Sequence, residues 1–263
     1  MIIERGYVET PWGQVHYRSA GAHGPWLALF HESPLSSREF ERALPLLGRH
    51  FRAIAFDTPG YGESDAPAER ISLHEYARRL MAALAVLEIG RFAAAGVHTG
   101  AAIAAEIAAA APSQVSHLAF SGLPLLDAEQ RRAFAARLAL PAFDRGGAHL
   151  VQAWQGRLKS WGEDAPDDLL QWGTLDLLKA YPRSLWALEA VFAHDLGPAV
   201  AQIRCPTLFV NAEGDSLAAI DNRAAAHVPG ARLEIAGGIR GQLAWRAPEF
   251  YADALVRFIP SPV

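Results

Sequence analysis

Cysteine is almost missing from this chain. Its 263 residues include one, Cys205, so no internal disulfide can staple the fold, and a lone thiol fits a reducing cytoplasm. In "IRCPTLFVN" that thiol opens an apolar strand, which reads as buried and structural. No cysteine and histidine spacing matches a zinc site, and the ten histidines are scattered. Neither metal nor cofactor is expected. No apolar run approaches the ~20 residues of a membrane span. The opening "MIIERGYVETPWGQV" has acidic residues and a turn where an export signal needs a basic start and an apolar run. A cytoplasmic location is therefore expected. Positive charge is also in short supply: 24 Lys and Arg against 28 Asp and Glu leave a net charge of -4, no basic field for nucleic acid or an anionic membrane. The expected partner is a small molecule, and the sequence leaves the oligomeric state open.

What the chain does have is core-forming material. Hydrophobic residues make up 51% and charged residues 20%, a globular balance in a chain long enough for one large domain. Extended and helical signals alternate. "GQVHYRSAG", "PWLALF", "FRAIAFD", "RFAAAG" and "VSHLAFSG" read as strands; "SSREFERALPLLGRH" and "SLHEYARRLMAALAVLEIG" read as helices. Ser72 and Glu75 make a capping box for the second helix, and Gly90 marks its end. Strands that are almost continuously apolar predict a mostly parallel sheet covered by helices on both faces. The alternation stops over residues 124–196, which are helical in period and hold Trp154, Trp161, Trp172 and Trp186, four of the seven tryptophans. Pro141, Gly146–Gly147, Pro166 and Pro182 divide this stretch into about four short helices. Strand signals return at "CPTLFVNAEGD" and "ARLEIAG", with "AAIDNRAAAHV" and "APEFYADALVRFI" as the last helices. The expected organisation is a core of residues 1–123 and 197–263, with a helical cap over 124–196 lying on the sheet edge where open α/β sheets bind ligands.

Three segments carry a family resemblance. "LALFHESPLSS" is similar to the His-Gly-x-Pro turn after the third strand of epoxide hydrolases and haloalkane dehalogenases. "FDTPGYGESD" is close to the Asp-x-Pro-Gly-x-Gly-x-Ser segment after their fourth strand. "GVHTG" fits a Gly-x-nucleophile-x-Gly elbow in all but its central residue. In this order the three resemble the α/β-hydrolase superfamily over nearly the whole chain. The resemblance implies an eight-stranded, mostly parallel sheet with a helical lid. It also implies an oxyanion hole from the backbone N–H groups of Thr99 and Ser33, and Asp215 of "NAEGDSLA" at the acid position. In "FDTPGYGESD", turn glycines, a φ-fixing proline and a local side-chain cap account for Asp57, Pro59, Gly60, Gly62 and Ser64 as architecture.

Two members of the expected triad are missing. The elbow turn needs Gly96 and Gly100 for lack of side chains and aims its central residue into the site, but that residue is His98. Relatives carry their histidine about seven residues before a proline like that of "APEF". Counting back from Pro248 reaches Gly241, beside Arg240, and neither is a base. A serine acyl-enzyme is thereby excluded. One rearrangement fits: His98 reaches the space left by Gly241 and pairs with Asp215, as a base for water or a substrate proton. Arg240 is the competing partner for Asp215, or a clamp for a substrate carboxylate.

Glu32 stands where the resembling turn has glycine, either as a cap turned toward solvent or as an acid or base at the mouth of the oxyanion hole. His31, His194 and Trp245 complete the candidate substrate-binding residues, with structural readings for both histidines. The expected activity is hydrolysis of a small apolar ester, lactone or related carbonyl compound, with His98 as base and no cofactor. A catalytically silent ligand-binding member and a lyase or decarboxylase are the alternatives.

Overall fold

A computed structural model describes residues 1–260. In chain order the strands are β1 (Glu4–Thr10), β2 (Gly13–Ala20), β3 (Trp26–Phe30), β4 (Arg52–Phe56), β5 (Phe92–Val97), β6 (Val115–Ser121), β7 (Thr207–Gly214) and β8 (Arg232–Arg240). They form one sheet in the order β1-β2-β4-β3-β5-β6-β7-β8. The pairs β1-β2 and β2-β4 are antiparallel, and every pair from β4 to β8 is parallel. Seven of these strands coincide with the apolar runs of the sequence. The eighth, β1, buries only Val8 and gave no such signal.

The helices are α1 (Leu44–Leu47), α2 (Leu73–Val86), α3 (Thr99–Ala110), α4 (Ala128–Ala135), α5 (Ala148–Trp161), α6 (Asp167–Lys179), α7 (Trp186–Ala193), α8 (Gly197–Ala201), α9 (Ala218–Ala225), α10 (Leu243–Arg246) and α11 (Pro248–Phe258). Strand side chains alternate between faces, so one strand feeds two cores. Ala28 and Phe30 of β3 pack with Leu80 of α2 and Ile103 of α3, while Leu27 and Leu29 pack with Leu44 of α1 and Leu255 of α11. Alanine dominates α3, whose first ten residues, Thr99–Ala108, are all buried. Alanine is the strongest helix former and small enough for the helix to lie close against the sheet and α2.

Two helix expectations need correction. "SSREFERALPLLGRH" is not one helix but a 3₁₀ turn at Ser37–Phe40 and the short α1, because Pro45 lacks an N–H and has to open a new helix. Helix α2 is capped by Ser72, whose Oγ accepts the Glu75 N–H at 3.2 Å. It stops at Val86 rather than Gly90, and Glu88 takes the left-handed turn at φ 56°.

Between β6 and β7 the chain forms only helices, α4 to α8. They are tied to the sheet by a separate apolar cluster in which Trp161, Leu169 and Trp172 pack against Leu35 and Trp245. A hydrogen bond adds to this, with Ser36 Oγ donating to Asp176 Oδ2 at 2.6 Å. Among the described residues no helix is long and apolar enough to cross a membrane.

Candidate active site

The site begins at the turn from β5 into α3. His98 sits there with φ 46° and ψ -105°, a conformation that L side chains rarely adopt. Its neighbours allow the tight crossing. A Cβ on Gly96 would overlap the Gly100 carbonyl, and one on Gly100 would overlap that of Phe30. The His98 N–H donates to Ser121 O at 2.9 Å and its carbonyl accepts from Ala102 N at 3.1 Å, so the strained residue is fixed on both sides.

From this turn the imidazole reaches Asp215 at the end of β7, and the space it occupies is cleared by glycine. A Cβ on Gly122 would collide with the imidazole Cδ2, and one on Gly241 would approach Asp215 Oδ2 to 3.0 Å. His98 Nε2 lies 3.0 Å from both Asp215 oxygens. The ring is also engaged on its far side, where Nδ1 lies 3.1 Å from Glu32 Oε2. Asp215 therefore pairs with His98, and Arg240 lies instead 3.4 Å from Asp164. Asp215 is itself held by the Leu217 N–H, which donates to Oδ1 at 2.8 Å.

Two carboxylates on one imidazole change its charge. Burial pushes the His98 pKa down, but attraction and hydrogen bonding to Asp215, with further attraction to Glu32 and Glu39, raise it to about 10. Near neutral pH the ring is an imidazolium, with Nε2 hydrogen-bonded to Asp215 and Nδ1 in ion-pair contact with Glu32. Burial works against ionised Asp215 too, yet the imidazolium holds its carboxyl below the usual range. A ring with both nitrogens protonated has no lone pair to accept a proton, so the expected role of His98 as base belongs to its neutral form. Of the two carboxylates Glu32 is the one held from outside by Gln242, whose Nε2 donates to Oε1 at 3.2 Å.

Glu32, Ser33, His98, Thr99, Asp215, Arg240 and Gly241 line one cavity of about 450 Å³ beneath the inserted helices. Thr99 opens α3, so its N–H has no intrahelical acceptor. Three candidate binding residues lie elsewhere. His31 is buried behind the loop, with Nδ1 2.8 Å from Glu32 O and Nε2 accepting the Thr58 N–H at 2.9 Å, and burial pushes its pKa down. Trp245 packs in the apolar cluster with its ring 4.9 Å from that of Trp172. His194 follows the end of α7 and pairs with Glu106 at 2.8 Å.

Several residues that bear on the site carried no sequence signal. Glu39 is fully buried and its Oε2 accepts the Glu32 N–H at 2.9 Å; burial and the neighbouring Glu32 charge push its pKa well above the carboxylate range. Asp221 accepts the N–H groups of Gly122 and Leu123 at 2.7 Å each and Asn211 Nδ2 at 2.8 Å. It fixes the backbone on which the imidazole rests. Burial raises its pKa to about 6 against those hydrogen bonds. Arg157 of α5 also lines the cavity. None belongs to a motif, and only the fold brings them together.

Asp57 is architectural, as its segment suggested. Burial opposes its ionisation, but hydrogen bonds from His16 and Ser37 and the nearby His31 bring its pKa down to about 2. Ser64 Oγ donates to the Asp57 carbonyl at 2.8 Å. Among the described residues no group of three or more His, Cys, Asp or Glu side chains is arranged to hold a metal ion.

The chain belongs to the alpha/beta hydrolase fold family, whose sequence profile matches residues 25–237. It is 35% identical to a haloalkane dehalogenase of Mesorhizobium japonicum over 104 residues, 40% of this chain and 34% of that protein. The chain thus matches about a third of that relative's length. A hydrolase from Pseudomonas aeruginosa superposes with a TM-score of 0.82 at 25% identity over 97% of both chains. The enol-lactonase of Burkholderia xenovorans shares the fold, with a TM-score of 0.74 at 19% identity over 96% of this chain and 99% of its own.

Proposed function

We propose that this hydrolase-family protein cleaves a small, largely apolar ester or lactone by activating water, with no covalent acyl-enzyme. The observation that carries this reading is the linear array of Glu32, His98 and Asp215, with His98 bridging two carboxylates at 3.0 and 3.1 Å on the cavity wall. Glu32 is the base in this scheme. It takes a proton from water as the oxygen attacks the substrate carbonyl, whose oxygen receives the Thr99 and Ser33 N–H groups. A carboxylate beside an oxyanion hole would repel the developing charge if it stayed ionised. Here Glu32 is neutralised in the same step in which the oxyanion forms, so negative charge moves across the site rather than accumulating. His98, kept cationic by Asp215, stabilises the charge before and after that shift. Collapse of the tetrahedral intermediate expels the alkoxide, which recovers the proton from Glu32.

A second reading, a silent ligand-binding protein, is favoured by the fact that both imidazole nitrogens are already occupied. The two separate in one experiment. Wild type, Glu32→Gln and His98→Gln are assayed on esters, lactones, epoxides and β-keto acids, with intact-mass analysis during turnover. The hydrolytic reading expects ester or lactone turnover, a loss of about 10²–10⁴-fold in both variants, and no mass adduct. Equal background rates in all three proteins, with a ligand still raising the melting temperature, establish the binding reading instead. An acyl adduct sinks the water mechanism.

A further inference from the structure

Glu39 takes no part in the hydrolytic scheme, yet it is hydrogen-bonded to the residue that serves there as base. It stands in the 3₁₀ turn Ser37–Phe40 and is fully buried. Oε2 accepts the Glu32 N–H at 2.9 Å. Oε1 is sealed from solvent and has no hydrogen-bond partner among the described residues. One neutral main-chain donor cannot replace the hydration of a carboxylate, so a buried carboxyl in this setting keeps its proton. The charges around it act, on balance, in the same direction. Burial and the Glu32 carboxylate push its pKa well above the usual range, and Asp215 adds to the rise, while the Glu32 N–H and the His98 imidazolium oppose it.

The other polar atoms of Glu32 are each held by a different residue. Its carbonyl accepts the Leu35 N–H at 2.9 Å and lies 2.8 Å from His31 Nδ1. Its side chain is met by Gln242 at Oε1 and by His98 at Oε2. The N–H remains, and Glu39 takes it. In a planar trans peptide the N–H and C=O point opposite ways, so a Glu32 carbonyl fixed toward His31 and Leu35 turns the Ser33 N–H away from them. Ser33 and Glu32 both line the cavity. Rotation of the chain before Glu32 would swing its carboxylate and the Ser33 N–H together, and the bond to Glu39 opposes that rotation. An ionised Glu39 would hold the same N–H, but its charge beside Glu32 would make the base take up a proton before substrate arrives.

We propose that Glu39 is a positioning residue that acts in its protonated form, holding the Glu32 main chain so that the carboxylate and the Ser33 N–H converge on one substrate carbonyl without adding charge to the site. The effect on rate rests on the hydrolytic reading; the protonated clamp itself does not require turnover.

The test compares wild type with two variants. Glu39→Gln keeps an uncharged acceptor for the Glu32 N–H, and Glu39→Met keeps the bulk alone. Melting curves show whether each is folded, and Glu39→Asp, too short to reach the N–H, replaces Glu39→Met if that protein does not fold. Infrared difference spectra of wild type against Glu39→Gln at pH 7 should contain the carbonyl stretch of a protonated carboxyl. Hydrogen exchange at the Glu32 amide should be slow in wild type and Glu39→Gln and about tenfold or more faster in Glu39→Met. On the esters and lactones of the panel above, p-nitrophenyl acetate and δ-valerolactone among them, Glu39→Met should lose about 10–100-fold in kcat with little change in KM. Glu39→Gln should recover most of that loss, which an amide could not do if the side chain only filled space. A missing carboxyl band means an ionised Glu39 and overturns the assignment, as does a folded Glu39→Met with wild-type kcat. Wild type that turns over none of the panel, yet shows the carboxyl band and the protected amide, removes the hydrolytic reading and keeps the protonated clamp.

Discussion

Glu32 and His98 are 66 residues apart in sequence and 3.1 Å apart in space, Oε2 against Nδ1, while the other face of the ring is held by Asp215 at 3.0 Å. The pairing holds the half-buried His98 ring as a cation between two carboxylates. The side chains are 20% exposed for His98, 7% for Glu32 and 4% for Asp215, so water screens the pair weakly. The first prediction concerns the ring itself. Histidine ring ¹⁵N spectra should show His98 with both nitrogens protonated at pH 7 and a midpoint near 10, lowered in Glu32→Gln and lowered further in Asp215→Asn. A midpoint near 6.5 in wild type would refute the clamp.

The same pairing makes stability depend on pH with a definite sign. His98 has a folded pKa of about 10, raised from 6.5, so its contribution is complete below about pH 6.5 and is lost as pH rises through 10. Asp215 is depressed below 3.8, so its contribution is present above about pH 4 and is lost as pH falls through the folded value. The array therefore stabilises most between about pH 4 and 6.5. Comparing wild type with His98→Gln in urea unfolding from pH 6 to 10, the advantage of wild type should be largest at pH 6 and shrink steadily toward pH 10. At pH 6 the loss should be about 3–5 kcal/mol, as for removal of one member of a buried ion pair. A gap independent of pH would mean that the imidazole is neutral.

Asp221 gives a separable test, because it supports the array without touching it. Its two oxygens take three N–H donors, from Gly122, Leu123 and Asn211. Asparagine keeps the shape but replaces one acceptor by a donor, so Asp221→Asn sets N–H against N–H. We expect a loss of about 1–3 kcal/mol in unfolding free energy, read as a lower denaturation midpoint with unchanged slope. The wild-type carboxyl has a raised folded pKa of about 6, so its folded state gains relative stability as pH falls from about 6 toward 4. Asp221→Asn should lack that gain.

The fold was legible where local chemistry decides it. Apolar runs located seven strands, and Gly96, His98 and Gly100 together specified a strained turn whose strain is present in the backbone. The sequence left His98 and Arg240 as competing partners for Asp215; the empty position at Gly241 suggests the first, an argument about space rather than pattern, and the contact at 3.0 Å is with His98. What the sequence concealed was contact made across distant segments. Glu39 and Asp221 stand on unrelated elements, and each looks like an ordinary surface charge until the fold buries it. Trp245 and His31 lie outside the cavity lining, where Trp172 and Thr58 are their partners.

Glycine at 122 provides the last prediction, since it tests whether the imidazole position is imposed by the backbone. Gly122 has φ +72°, and an added Cβ would meet His98 Cδ2 and lie 2.6 Å from Nε2. The obstacle is a ring anchored at both ends, which cannot swing aside without giving up Asp215 or Glu32. Gly122→Ala therefore combines the cost of a left-handed alanine, about 1–2 kcal/mol, with overpacking of about 1–3 kcal/mol. Gly90→Ala is the matched control, because nothing lies within 4 Å of its added Cβ and its φ is not in the left-handed range; it should change stability by no more than about 0.5 kcal/mol. Unfolding curves measure the difference, and histidine ring spectra show whether His98 has left Asp215. If Gly122→Ala is as stable as Gly90→Ala with an unchanged His98 signal, the imidazole does not fill that space, and the array loses the contact that fixes its geometry.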